Sequence, residues 1–114
     1  MNPYDPISQI QAEVFATAVE KGWHEEPDRT VGESIALMHS ELSEALEVYR
    51  DTPKQLEMWV SPSGKPEGVV TELADCVIRI LDFCGQHNLN LTEAMMAKIT
   101  YNKTRPYRHG GKKI

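Results

Sequence analysis

The chain has 114 residues and a formal net charge of −5, enough polypeptide for one domain. Hydrophobic residues make up 40% of it and charged residues 25%, ordinary proportions that exclude intrinsic disorder as its main state. No apolar run is long enough to span a membrane, and two cysteines are too few for a disulfide scaffold. Since the first residues also lack a signal pattern, we expect a cytoplasmic protein with no membrane partner.

Charge is distributed unevenly along the chain. All 17 acidic residues lie within residues 1–93, whereas six of the 12 Lys and Arg residues lie within residues 98–114. An acidic surface repels nucleic acid, which argues against a nucleic-acid partner. The acidic body could hold metal ions, and the basic end could either bind phosphate groups or form a solvated tail.

Four helices and no strand are predicted from capping residues and from apolar residues at helical spacing. The capping signals are Asp5 before Pro6, the Thr30–Glu33 capping box, and Asn90 with Glu93. We predict helices over residues 6–21, 30–51, 66–87 and 90–103. Residues 52–64 are predicted to form a long connection.

Apolar stripes on the second and third helices are predicted to form the core. On the second helix the stripe comprises Ile35, Met38, Leu42, Ala45 and Tyr49; on the third it comprises Val70, Leu73, Val77, Ile80, Leu81 and Cys84. Four helices without a sheet predict an all-α, four-helix bundle. We expect one helical domain over residues 1–104 and a basic tail over residues 105–114.

Carboxylates interrupt these amphipathic helices in two pairs. Glu41 and Glu44 lie on the second helix, and Glu72 and Asp75 on the third. Spacing of i, i+3 places each pair on one helix face, so antiparallel packing would bring all four together. Four such groups repel one another unless a hard cation such as Mg²⁺ or Mn²⁺ neutralises them. The alternative is that they are a solvated helix face, with Glu44 or Glu47 paired to Arg50.

Two other metal sites fit the sequence poorly. A di-iron bundle needs Glu-x-x-His pairs, and no histidine here has an acid three residues before it. Cys76, Cys84 and His87 could suggest zinc, but the two cysteines occupy apolar positions of one helix and are expected to be buried thiols.

The segments Glu41-Leu-Ser-Glu44 and Glu72-Leu-Ala-Asp75 resemble the EExxE…ExxD signature of the MazG-like, all-α nucleoside triphosphate pyrophosphohydrolases. The flanking residues 35–40 and 76–82 are similar to that family too. Residues 98–110 resemble the basic, Asn-containing segment that ends its fourth helix. The similarity covers about residues 8–110. Ser40 stands where the family's doubled pair has its first glutamate, so the resemblance implies four ligands, as in single-domain members such as the dCTP pyrophosphatases.

The resemblance implies hydrolysis of a nucleoside triphosphate between its α and β phosphates, giving a monophosphate and pyrophosphate. Glu41, Glu44, Glu72 and Asp75 would bind Mg²⁺, or Mn²⁺, and either Glu41 or Glu44 would act as general base. The spacing does not choose between these two glutamates.

Substrate contacts are expected from five further residues. Lys98, Asn102 and Arg105 share one face of the fourth helix. Lys98 and Arg105 would contact phosphate, and Asn102 would contact phosphate, sugar or metal-bound water, unless all three are solvated residues at a helix end. Arg79 would either contact the triphosphate or neutralise Asp75 and Asp82. Trp23 would either stack on the base or cover the end of the core.

A chain this small with such apolar helices is expected to form a homodimer or homotetramer. Two alternatives to this activity remain. A phosphoribosyl-ATP pyrophosphohydrolase would share the fold and the acids. A non-catalytic helical module would use the acidic face to bind a partner and the basic tail to bind nucleic acid.

Overall fold

The structure is a computed structural model that describes residues 4–25, 28–51 and 56–114. Within these ranges it is mostly helical, as predicted. The elements are α1 (Pro6–Glu20), α2 (Val31–Asp51), β1 (Trp59–Val60), β2 (Pro66–Glu67), α3 (Val69–Gln86), α4 (Leu91–Thr104) and α5 (Arg108–Gly111). None of the helices in these ranges combines the length and the apolar character that crossing a membrane requires.

The predicted capping residues are confirmed. The Asp5 carboxylate accepts a hydrogen bond from the Ile7 amide at 3.0 Å. At the start of α2, the Glu33 amide donates to the Thr30 hydroxyl at 3.1 Å, and the Thr30 amide donates to the Glu33 carboxylate at 2.9 Å. These reciprocal bonds satisfy amide groups that lack helical partners, and they lower the pKa of Glu33.

The predicted start of the third helix at Pro66 is wrong. Pro66 lies instead in β2, which pairs antiparallel with β1 in a short hairpin over part of the predicted connection. Helix α3 begins after Gly68, whose φ of 113° favours glycine and whose missing Cβ leaves room for the Glu57 carbonyl oxygen. Residues 52–55 of the predicted connection lie outside the described residues.

Helix α3 is the centre of the fold. Its most extensive contact is with α2 and the next is with α1, while α4 packs against α1. Gly85 allows the close approach of α1, because a Cβ at this position would lie 2.6 Å from the Phe15 Cβ. The arrangement leaves a space over α3 between α1 and α2, and the candidate site lies there.

Gly85→Ala tests this close approach. We expect the variant to lower the free energy of unfolding by about 1–2 kcal/mol, because overpacking outweighs the better helix propensity of alanine. Gly32→Ala is the matched control, since it also lies in a helix and its Cβ would have no contact closer than 3.9 Å. Denaturant unfolding should show a loss for Gly85→Ala and none for Gly32→Ala; equal stabilities would contradict the packing.

The predicted apolar stripes are only partly buried within one chain. The buried apolar residues are Ala45, Cys76, Leu81 and Cys84. By contrast, six predicted core residues are exposed, because no described element covers them in the single chain: Ile35, Leu42, Tyr49, Val70, Leu73 and Val77. The accessible surface is 8785 Å², against about 6,300 Å² for a compact monomer of this mass. Most residues of the two predicted stripes are therefore exposed to solvent in the single chain.

Candidate metal centre and adjoining cavity

Three of the four predicted carboxylates converge at the α2–α3 contact. Glu41 lies on α2, and Glu72 and Asp75 lie on α3, with one oxygen of each within 4.8 Å of the others. Glu44 is exposed and lies outside this trio, but it is close enough to Glu72 to raise the pKa of that residue. The antiparallel packing expected from the two i, i+3 pairs thus brings a trio of acids together with a fourth beside it.

Glu41 is the buried member of the trio, with its side chain only 8% exposed. The Arg79 Nε atom donates a hydrogen bond to Glu41 Oε1 at 2.7 Å. The second oxygen, Oε2, is fully buried and has no hydrogen-bond partner among the described residues. A buried carboxylate oxygen without a partner is costly, and a cation bound between Glu41, Glu72 and Asp75 would remove that cost.

The alternative of a solvated acidic face does not hold for Glu41. The exposed ion pair expected under that alternative does occur, with Glu47 as the partner of Arg50 at 3.6 Å. Glu41 is instead buried, and burial of a carboxylate that is unpaired or only partly paired is unfavourable. Arg79 binds this residue through a hydrogen-bonded ion pair, an arrangement that neither predicted role of Arg79 anticipated.

Crowding of the acids shifts the titration of two of them. Burial, a hydrogen bond with Glu44 and the charges of Asp75, Glu44 and Glu41 raise the pKa of Glu72. Burial and the charge of Glu41 raise the pKa of Asp75, against the opposing effect of Arg79 and Lys65. The cluster therefore resists full ionisation, as expected of a site that needs a bound cation.

Glu72→Gln is expected to stabilise the metal-free protein at pH 7.5 by up to about 1 kcal/mol, a gain limited by solvent screening. A raised folded-state pKa means that the fold binds the Glu72 proton more tightly than the unfolded chain does. Ionisation of Glu72 therefore destabilises the fold above the ordinary pKa of 4.5, and the penalty disappears as the pH falls below that value.

Thermal denaturation in EDTA at pH 7.5 and pH 3.5 checks this prediction. The melting temperature of Glu72→Gln should exceed that of the wild type at pH 7.5 and equal it at pH 3.5. Glu47→Gln, the control, should have the melting temperature of the wild type at both pH values. A gain that persists at pH 3.5 would show that it does not come from the Glu72 charge.

A cavity of about 400 Å³ adjoins the carboxylates. Its α1 wall is largely apolar, and Glu41 and Asp75 reach it from the metal-centre side. The remaining lining residues come from α3, the end of α1 and the loop before α2: Ile78, Arg79, Asp82, Lys21, Trp23 and Arg29. The volume lies in the range of small-molecule sites, and the mixture of apolar wall and charged end suits an amphipathic ligand.

Trp23 lies at this cavity with 64% of its surface exposed. Its indole is therefore not packed within the core of the single chain. The Arg29 guanidinium lies 5.6 Å from the centre of the Trp23 ring, a cation–π contact that keeps a second positive charge beside the cavity.

The predicted phosphate contacts on α4 are not brought to this site within the chain. Lys98 and Arg105 both lie near the Tyr101 ring, at 5.3 Å and 5.8 Å from its centre. Neither they nor Asn102 is among the described residues that line the cavity. Helix α4 packs against α1, and it has no buried residue.

Sequence reasoning missed two contributors to the site. Arg29 had no recognisable pattern around it, and its position follows from the path of the loop before α2. His24 forms a hydrogen bond with Asp82 across 58 residues of sequence. Asp82 was recognisable as an acid that Arg79 could neutralise, but nothing local in the sequence identifies its partner His24.

Comparison of the chain with models of protein families, with curated proteins and with solved structures found no match. Function is therefore inferred from the geometry of the metal centre and the cavity, together with the sequence resemblance described above.

Proposed function

We propose that this protein is a Mg²⁺-dependent nucleoside triphosphate pyrophosphohydrolase of the MazG-like kind, which releases a nucleoside monophosphate and pyrophosphate. The observation that carries the proposal is the unpartnered, buried Oε2 atom of Glu41 within a cluster of three carboxylates. The cluster lies at the edge of a cavity large enough for a nucleoside. Such a combination supports binding of a cation and of a phosphorylated ligand side by side.

Glu41, Glu72 and Asp75 would hold the cation, since hard carboxylate oxygens are the ligands that Mg²⁺ and Mn²⁺ prefer. When bound, the cation would neutralise the triphosphate and stabilise the charge that develops on the leaving pyrophosphate. Arg79 holds the Glu41 carboxylate in its orientation through the 2.7 Å bond. It also lines the cavity, so its remaining guanidinium nitrogens are available to the phosphates.

Glu44 is the better choice for general base. Glu41 is buried and bound to Arg79, whereas Glu44 is exposed and lies beside Glu72. In the proposed reaction a water oxygen forms a bond to phosphorus, the bridge between the α and β phosphates breaks, and Glu44 accepts the proton of the water. The pyrophosphate leaves with the electron pair of the broken bond.

Trp23 and the apolar wall of the cavity would receive the base and sugar. A partly exposed indole offers a face for stacking, and Arg29 adds positive charge at the same place. Lys98, Asn102 and Arg105 remain proposed phosphate contacts. Because α4 lies away from the cavity of its own chain, we assign these contacts to the cavity of a second subunit.

The exposed apolar faces of α2 and α3 support a homodimer or a homotetramer. The chain exposes about 2,500 Å² more surface than a compact monomer of its mass, comparable with what each partner buries in a large obligate interface. On α2 the exposed residues Ile35, Leu42, Leu46 and Tyr49 share one helix face. A second copy would bury this face and complete the core that one chain leaves open.

A panel of ribo- and deoxyribonucleoside triphosphates with phosphoribosyl-ATP tests the proposal. Pyrophosphate release is measured with Mg²⁺, with Mn²⁺ and with EDTA. We expect release from at least one nucleoside triphosphate, dependent on metal. Turnover of phosphoribosyl-ATP alone would favour the related alternative, and absence of turnover with any compound would favour a non-catalytic helical module.

A further inference from the structure

A hydrogen bond joins the loop after α1 to the C-terminal half of α3. His24 Nε2 and Asp82 Oδ1 lie 2.7 Å apart, and their side chains are only 12% and 17% exposed. A pair this short and this sheltered from water holds its partners in place far more firmly than a surface pair does.

The surroundings of His24 add to this anchoring. The His24 ring packs against Phe15 of α1, with 5.1 Å between ring centres. Phe15 in turn lies against Gly85 of α3, where no Cβ would fit. The imidazole is thus held between α1 and α3, the two helices that bound the cavity on this side.

Trp23 immediately precedes His24 and lines the cavity. On its N-terminal side the loop is fixed by the turn at Gly22, with φ of 84°, and by the Trp23 amide, which donates to the Ala18 carbonyl at 3.0 Å. On its C-terminal side the described anchor is His24. The indole itself is mostly exposed, so it depends on these neighbours for its position.

Neither His24 nor Asp82 belongs to the cluster of Glu41, Glu72 and Asp75, although Asp82 lines the cavity. Asp82 lies seven residues beyond Asp75 on α3, about 10 Å along a helix. The His24 nitrogen that faces α3 is already engaged by Asp82. Through this bond Asp82 also fixes the loop that carries Trp23.

We propose that His24 and Asp82 are positioning residues that hold Trp23 at the cavity and thereby determine affinity for the ligand, not the rate of the chemical step. The inference rests on the proposed function for its kinetic consequence. Its structural consequence is that the His24–Asp82 pair limits the mobility of the Trp23 indole, and this mobility can be measured without any turnover.

The test compares Asp82→Ala, Asp82→Asn and the unrelated loop variant Asp28→Ala, all in a Trp59→Phe background. The chain has two tryptophans, so this background leaves Trp23 as the only indole. The Asp82→Asn variant keeps a side-chain oxygen that can accept a hydrogen bond from His24, whereas the Asp82→Ala variant does not. We measure the fluorescence anisotropy decay of Trp23, and KM and kcat with the best substrate of the nucleotide panel.

We expect Asp82→Ala to add fast motion of Trp23 and to raise KM about tenfold with kcat within about twofold of its parent. Asp82→Asn should change the motion of Trp23 and KM less than Asp82→Ala does, and Asp28→Ala should change neither. Unchanged anisotropy in Asp82→Ala would overturn the inference, as would a loss of kcat at constant KM. If the parent hydrolyses no nucleotide, the proposed function fails, while the anisotropy comparison still decides whether the pair positions Trp23. Should Asp82→Ala not fold, the same comparison is made with His24→Gln and His24→Ala.

Discussion

Replacement of Glu41 by glutamine is expected to lower kcat/KM for nucleoside triphosphate hydrolysis by roughly 10³-fold. Glutamine keeps an oxygen that can accept the hydrogen bond from Arg79, so the contact between α2 and α3 survives. What it removes is the negative charge and the buried Oε2 atom, which no described protein group satisfies and which we propose faces the cation. Titration with Mn²⁺ should show a parallel loss of metal affinity.

Glu47→Gln is the matched control for this variant. Glu47 lies on the same helix, is exposed and, among the residues that the structure describes, pairs with Arg50 at 3.6 Å. We expect its kcat/KM and its metal affinity to equal those of the wild type. If Glu41→Gln kept full activity and full metal binding, the carboxylate cluster would not be the metal centre.

Leu46→Glu is expected to weaken self-association by at least about 100-fold, because burying a leucine stabilises an interface by about 1.5–3 kcal/mol and a buried, unpaired carboxylate costs more. Leu46 shares an exposed face of α2 with Leu42 and Tyr49. Light scattering combined with gel filtration should find a dimer or tetramer for the wild type and a monomer for the variant at micromolar concentration.

Leu56→Glu serves as control, since this leucine precedes the hairpin and lies outside the helix faces. Its exposure, 55%, is close to the 49% of Leu46. A wild type that is itself monomeric would contradict the proposed interface. So would two variants that dissociate equally, because the α2 face would then have no special role.

The helices were predictable because their signals are local. Asp5, Thr30 with Glu33, and Asn90 each mark a helix start within three residues, and each makes the expected cap in the structure. The start of α3 was misplaced because proline suits both a first helical turn and an edge strand, and only the pairing of β1 with β2 decides between them. Periodicity also marked the apolar faces, but it cannot say whether a face is covered by the same chain.

The carboxylates of the site were predictable for the same reason, since i, i+3 spacing fixes which side chains share a helix face. Contacts between elements were not. The bonds of Arg79 to Glu41 and of His24 to Asp82 span 38 and 58 residues, and their geometry depends on how α1 and α2 pack against α3. The distance of Lys98 and Arg105 from the cavity likewise follows from the packing of α4 against α1.

Identifying which phosphate bond is hydrolysed tests the proposed activity most directly. Phosphorus NMR of a nucleoside triphosphate incubated with the wild type and Mg²⁺ distinguishes pyrophosphate with nucleoside monophosphate from orthophosphate with nucleoside diphosphate. We predict that the wild type forms pyrophosphate and nucleoside monophosphate in equal amounts, and that the Glu41→Gln sample contains neither product. Orthophosphate and nucleoside diphosphate, or an unchanged triphosphate, would contradict the proposal.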